Sequence, residues 1–100
     1  MYAQLIEGGT TPESRNEMDR IVTDEMIPAL KAEPGFSGAL NIVDRSSGNA
    51  MMLVLWETHA QARRALNEYG DAFLRALARV AQISTGTRRP ISVWEVNARA

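Results

Sequence analysis

Three side chains in one stretch have the types needed for chemistry on a flat organic molecule: Trp56, His59 and Tyr69. An indole can stack on an aromatic ligand. A histidine titrates near neutrality and suits a general base or proton shuttle. A phenol can donate a hydrogen bond to a bound oxygen. His59 and Tyr69 are therefore candidate catalytic residues, and Trp56 is the candidate pocket residue. Each has a plainer reading: a core tryptophan, a solvated first-turn histidine, and a tyrosine packed by its ring with its hydroxyl in water. Asn41 falls inside a predicted strand, where a buried amide needs partners, so it could line a pocket or contact another subunit. Met18, Met26, Met51 and Met52 could shape an adaptable apolar cavity, although such residues more often fill cores. Arg88-Arg89 could bind an anion, the plainer reading being a solvated loop.

Composition narrows the classes. One hundred residues suit one domain with a real core, here the whole of 1–100. Eleven basic residues nearly balance twelve acidic ones, so no charge excess points to nucleic acid or an anionic membrane. There is no cysteine, which excludes disulfides, thiol catalysis and thiolate metal sites. With one histidine, no metal-ligand cluster is apparent. No apolar run approaches the roughly 20 residues that span a bilayer, and no basic-then-apolar leader opens the chain. A cytoplasmic protein is the default expectation.

The elements that would position these residues follow from periodicity and punctuation. Residues 2–7 read as a first strand, mixed enough in Gln4 and Glu7 to suit a short or exposed position. Thr11 can cap a helix, with Pro12 at its first position and Glu13 near its positive end. Met18, Ile21, Val22, Met26, Ile27 and Leu30 then form one helical face. Pro28 should kink that helix or end its regular part near Met26. Residues 36–44 read as a second strand, Ser46-Ser47-Gly48-Asn49 as a hairpin turn, and 50–57 as a third strand. Thr58 and Gln61 have the spacing of a capping box for a helix to Tyr69, broken at Gly70. Asp71 can cap a further helix with Phe73, Leu77 and Val80 on one face. Residues 84–87 read as a loop and 90–96 as a last strand. The order is β-α-β-β-α-β, an α+β ferredoxin-like sandwich: a four-stranded antiparallel sheet with helices on one face.

The third strand carries a further implication. Ala50 to Trp56 is apolar at every position, so both of its faces must be covered. Met52, Val54 and Trp56 would face the helices and any pocket there, with Phe73 opposite. Met51, Leu53 and Leu55 would face the open side. Burying each apolar side chain is worth about 1.5–3 kcal/mol, so a homodimer through the open sheet face is expected. Trp94 lies on one strand face with Ser92 and Val96 and could anchor that contact.

The run Glu33-Pro34-Gly35-Phe36-Ser37-Gly38-Ala39, followed by an apolar strand ending Leu55-Trp56-Glu57-Thr58, resembles the antibiotic biosynthesis monooxygenase superfamily of dimeric α/β-barrel proteins. The resemblance spans nearly the whole chain in element order, through short motifs. It implies two sheets paired into a barrel-like dimer. It also implies a small monooxygenase that oxidises an aromatic or quinone-like metabolite with no cofactor, neither metal nor flavin. Trp56 matches the pocket tryptophan of the quinone-forming members, and Met52 stands where they place an asparagine. Haem-degrading members use an asparagine on the first strand, where Gln4 stands here. The expected ligand-binding set is Trp56, Met52, Val54, Asn41 and Phe73. The alternative is a non-catalytic homodimer that binds a small ligand or acts as an interaction module.

Overall fold

The structure is a computed structural model that describes residues 1–86 and 89–100. Thr87 of the expected loop and Arg88 of the candidate anion site lie outside the described residues. The elements run β1 (Tyr2–Gly9), a 3-10 turn (Pro12–Ser14), α1 (Arg15–Ile21), a π-helical segment (Val22–Met26), α2 (Ile27–Lys31), β2 (Phe36–Val43), β3 (Asn49–Trp56), α3 (His59–Ala62), a second 3-10 turn (Leu66–Glu68), α4 (Asp71–Ile83) and β4 (Ser92–Glu95). The four strands are antiparallel in the order β2-β3-β1-β4, the ferredoxin-like arrangement.

Because β1 lies between β3 and β4, it is an inner strand. The expectation of an exposed first strand is therefore corrected: Gln4 is fully buried. The strand also runs on through Gly8 and Gly9, which pair with Ala50 and Asn49. Register assigns the faces of β3. Met52, Val54 and Trp56 are buried on the helix side. Met51, Leu53 and Leu55 lie on the open side with Leu40 and Ile42 of β2 and Trp94 of β4.

The helix layer forms as its sequence dictates, with three departures. Thr11 caps the first turn, its side chain accepting from the Ser14 amide at 3.2 Å. Pro28 does not end the helix. A proline cannot donate to the preceding turn and its ring crowds the carbonyl four residues back. The chain answers with a wider π turn, closed by the Ile27 amide on the Val22 carbonyl, and resumes as α2. The Thr58 capping box is complete, with Gln61 bonded both ways. The helix behind it nevertheless stops at Ala62, well short of Tyr69. Ala65 is extended there, and Arg64 is drawn aside to Glu33 Oε2 and the Glu68 carbonyl, both at 2.8 Å. Asp71 is the first residue of α4; Gly70 occupies the cap position and Asp71 makes no capping bond. The last strand is shorter than expected, Ser92–Glu95.

Met18, Ile21, Val22, Met26 and Leu30 pack on the helix side of β3 with Phe73 and Ala76 of α4. Among the described residues, no helix is long and apolar enough to cross a membrane. The hairpin turn between β2 and β3 is fastened to this layer. The Gly48 carbonyl accepts from the Thr10 amide and from Arg15 Nη1, both at 3.0 Å. Gly48 itself has φ of 81°, and a Cβ there would sit 1.9 Å from the Thr10 carbonyl oxygen. Gly48→Ala should thus combine backbone strain with a clash that no rotamer relieves, costing at least about 2 kcal/mol. Urea unfolding measures it; an unchanged midpoint would mean the turn is not held this way.

Candidate functional site

The helix side of the sheet is divided into two regions. At the end where β3 finishes, aromatic rings fill the space. Trp56 stacks on Tyr69 with centroids 5.8 Å apart and planes at 14°. Phe73 meets the other ring edge-on at 4.9 Å, and Phe36 meets Trp56 edge-on at 6.1 Å. The Arg64 guanidinium covers the Tyr69 ring at 5.0 Å while paired with Glu33 at 2.8 Å. Trp56, Phe73 and Val54 are closed off from solvent.

One polar contact orders this cluster. Trp56 Nε1 donates to Gln4 Oε1 at 3.1 Å. Gln4 Nε2 and the Tyr69 hydroxyl are buried and have no hydrogen-bond partner. The Gln4 amide is near enough to favour the Tyr69 phenolate, but burial outweighs it and holds the phenol above its ordinary value of 10.0. Tyr69 therefore keeps its hydroxyl out of water, unlike the plainer expectation for it. His59 stands exposed at the start of α3, edge-on to the Tyr2 ring at 5.1 Å.

At the other end of the same face, toward the hairpin turn, lies a cavity of about 360 Å³. This is within the range of small-molecule pockets. Its apolar wall includes Met18, Val22 and Met26 from the first helical run, Met52 from β3, and Leu77 and Val80 from α4. Asn41 and Arg15 bring polar groups into it, and Glu7 and Arg89 line it beside Gly8 and Gly9. An adjoining groove of about 470 Å³ shares Glu7, Gly8, Gly9 and Arg89 and continues past Met51 and Ile42 on the open side. Of the residues singled out from sequence, the structure brings Met52 and Asn41 to the cavity, with Met18 and Met26. Trp56, Val54, Phe73 and Tyr69 lie in the filled region beside it, His59 is on the surface, and Met51 is on the open face. Asn41 pairs across the strands with Met52, so an amide stands on the cavity wall next to the thioether.

Arg15 is the residue the sequence reading passed over. It is 2% exposed and lines the cavity from the first turn of α1. Its signal was available: residues 15, 18, 22 and 26 are spaced three, four and four apart, so an arginine opens the apolar stripe. Among the described residues, no group of three or more His, Cys, Asp or Glu is placed to hold a metal ion.

No family model matches the chain, and no curated protein matches its sequence. Solved structures match its fold closely. A candidate antibiotic biosynthesis monooxygenase from Bordetella bronchiseptica superposes with a TM-score of 0.77 at 11% identity, covering 97% of each chain. A protein of unknown function from Nitrosomonas europaea gives 0.75 at 16% identity over 99% of this chain and 91% of its own. A mutant of SnoaB, a cofactor-independent oxygenase from Streptomyces nogalater, gives 0.72 at 16% identity over 98% and 95%. The fold is thus the ferredoxin-like one shared by proteins named antibiotic biosynthesis monooxygenases.

The unpartnered Tyr69 hydroxyl makes two outcomes expected. Tyr69→Phe should leave stability within about 1 kcal/mol of the parent, since no bond is lost and an unsatisfied group is removed. A loss beyond about 2 kcal/mol would reveal a partner for that hydroxyl. The raised phenol pKa also fixes a sign. Its stabilising effect is complete below the unfolded value of 10.0 and falls as pH rises through the higher folded value. Denaturation midpoints should therefore drop above pH 10.0 in the parent, and drop less in the Tyr69→Phe variant.

Proposed function

We propose that this protein is a small homodimeric monooxygenase of the antibiotic biosynthesis type. It would take an aromatic or quinone-like metabolite into the cavity between sheet and helices and oxidise it with molecular oxygen. The observation that carries the reading is the cavity: its size and its thioether- and alkyl-rich wall suit a compact flat molecule, with Asn41 and Arg15 as the polar groups in reach. The fold shared with SnoaB, a cofactor-independent oxygenase, supports the chemistry. For an anthrone-like substrate, deprotonation gives an electron-rich phenolate that reacts with oxygen directly. One oxygen atom enters as the new carbonyl at the former methylene carbon, and the other leaves as water with that carbon's two hydrogens.

A second reading has its own support. Among the described residues, no histidine or tyrosine lines the cavity, so neither His59 nor Tyr69 is at hand for proton transfer. A non-catalytic binder of the same ligand class fits that fact. Oxygen uptake with a panel of anthrones and hydroquinones separates the two. The oxygenase reading expects turnover that is lost when Met52→Trp fills the cavity. Binding of the panel without oxygen uptake would leave the binder.

The dimer belongs to the same proposal. Leu40, Ile42 and Trp94 are 59%, 52% and 60% exposed on one face of the sheet, beside Met51. A contiguous apolar face of this kind is unusual on a monomer. A second copy related by a two-fold axis would cover it with a matching surface. Sedimentation should give twice the chain mass for the parent and a monomer for Ile42→Glu. A parent that stays a folded monomer at high concentration would overturn the dimer.

A further inference from the structure

Arg15 gives the cavity a fixed charge as well as a polar group. Arg15 is buried, and a buried guanidinium is retained only where its donors and charge are compensated. Two of its nitrogens are engaged: Nε with Asp19 Oδ1 and Nη1 with the Gly48 carbonyl, both at 3.0 Å. Nη2, which carries two more donors, has no partner among the described residues. Asp19, the one carboxylate on Arg15, is shared with Arg45 Nη1 at 2.9 Å. Glu7 and Arg89 also line the cavity and approach each other at 3.9 Å. Among the described residues, the cations that line the cavity are Arg15 and Arg89, and Glu7 is the one carboxylate. The Asn41 side chain forms no hydrogen bond within the described structure, and its amide is free to donate as well.

We infer that the cavity selects a ligand bearing an anionic oxygen, a phenolate, enolate or carboxylate, with Arg15 Nη2 as its principal donor and Asn41 as the second. This rests on the proposed cavity reading and gives it a substrate class: a compact apolar body with one acidic oxygen. It also supplies what the cavity otherwise lacks. A fixed cation in a site of low polarity favours the deprotonated form of a bound phenol, so the ligand can ionise without a histidine beside it. Arg15 is in this role a binding residue, and its bonds to Asp19 and Gly48 hold the guanidinium in place.

The test uses 4-nitrophenol, whose phenolate is visible by its own absorbance, with 4-nitrobenzoate and neutral 4-nitroanisole as companions. On the parent protein the bound phenol should ionise about tenfold more readily than the free one, a shift of about one pKa unit downward. The 4-nitrobenzoate anion should bind more tightly than 4-nitroanisole, and binding no tighter would overturn the carboxylate part of the ligand class. Arg15→Lys should keep part of the ionisation shift and Arg15→Gln should abolish it. Because Arg15 also fastens the hairpin turn, Arg15→Gln can fail to fold. Met52→Trp, which fills the cavity and leaves Arg15 in place, then serves instead and should remove the shift. A shift that survives Met52→Trp would put the anion elsewhere and overturn the inference. So would an unchanged or raised ionisation of the bound phenol on the parent while 4-nitroanisole binds, which leaves the cavity reading standing. Failure of all three probes to bind would sink the cavity reading and this inference with it.

Discussion

A strand that is apolar on both sides has to be covered twice, and β3 sets that requirement for the whole molecule. Its neighbours in the sheet satisfy its backbone, but only layers above and below can take Met52, Val54 and Trp56 on one side and Met51, Leu53 and Leu55 on the other. The first helical run and α4 supply one cover, and they do so unevenly. Rings close the space at one end of the strand, and flexible methionines leave room at the other. The sites of interest arise from how that one strand is covered.

Buried polar groups decide how the two ends differ. At the ring-filled end the Trp56 indole donates to Gln4, and the remaining amide nitrogen and the Tyr69 hydroxyl lie unpartnered in a tightly packed setting. Unsatisfied groups of this kind weaken a core. At the open end the polar groups border empty space. Arg15 fastens the start of α1 to the hairpin turn through Gly48 and keeps one nitrogen uncommitted. The same guanidinium thus stabilises the fold and defines the character of the cavity.

Much of this was legible in the sequence because short-range rules govern it. The Thr58 and Gln61 spacing, the Thr11 cap and the alternation of β3 are local patterns, and each appears as read. The order of elements led to the sheet, and the Pro-Gly-Phe and Trp-Glu marks led to the fold that solved structures share. What was hidden depends on strand order and distant partners. Gln4 looked like a surface residue because nothing local says that β1 is flanked by β3 and β4. The helix after Thr58 looked longer because the Glu33 carboxylate that captures Arg64 is 31 residues away in sequence. The cavity lies along β3 at Met52, four residues before Trp56, since the rings of Tyr69 and Phe73 occupy the place a ligand would need beside the indole.

The π turn before Pro28 sets the phase of the helical run. Each residue of an α-helix advances the face by about 100°, so one residue gained or lost in Val22–Met26 re-aims everything on one side of it. With the turn present, Arg15, Met18, Val22 and Met26 all face the cavity. Residues 15, 18, 22 and 26 also share a face by ordinary α-helical spacing, so the wider turn admits Pro28 without carrying Arg15 away from Gly48 or Met26 off the wall. The run thus takes a proline in its interior and still carries a surface-type residue inward at its start.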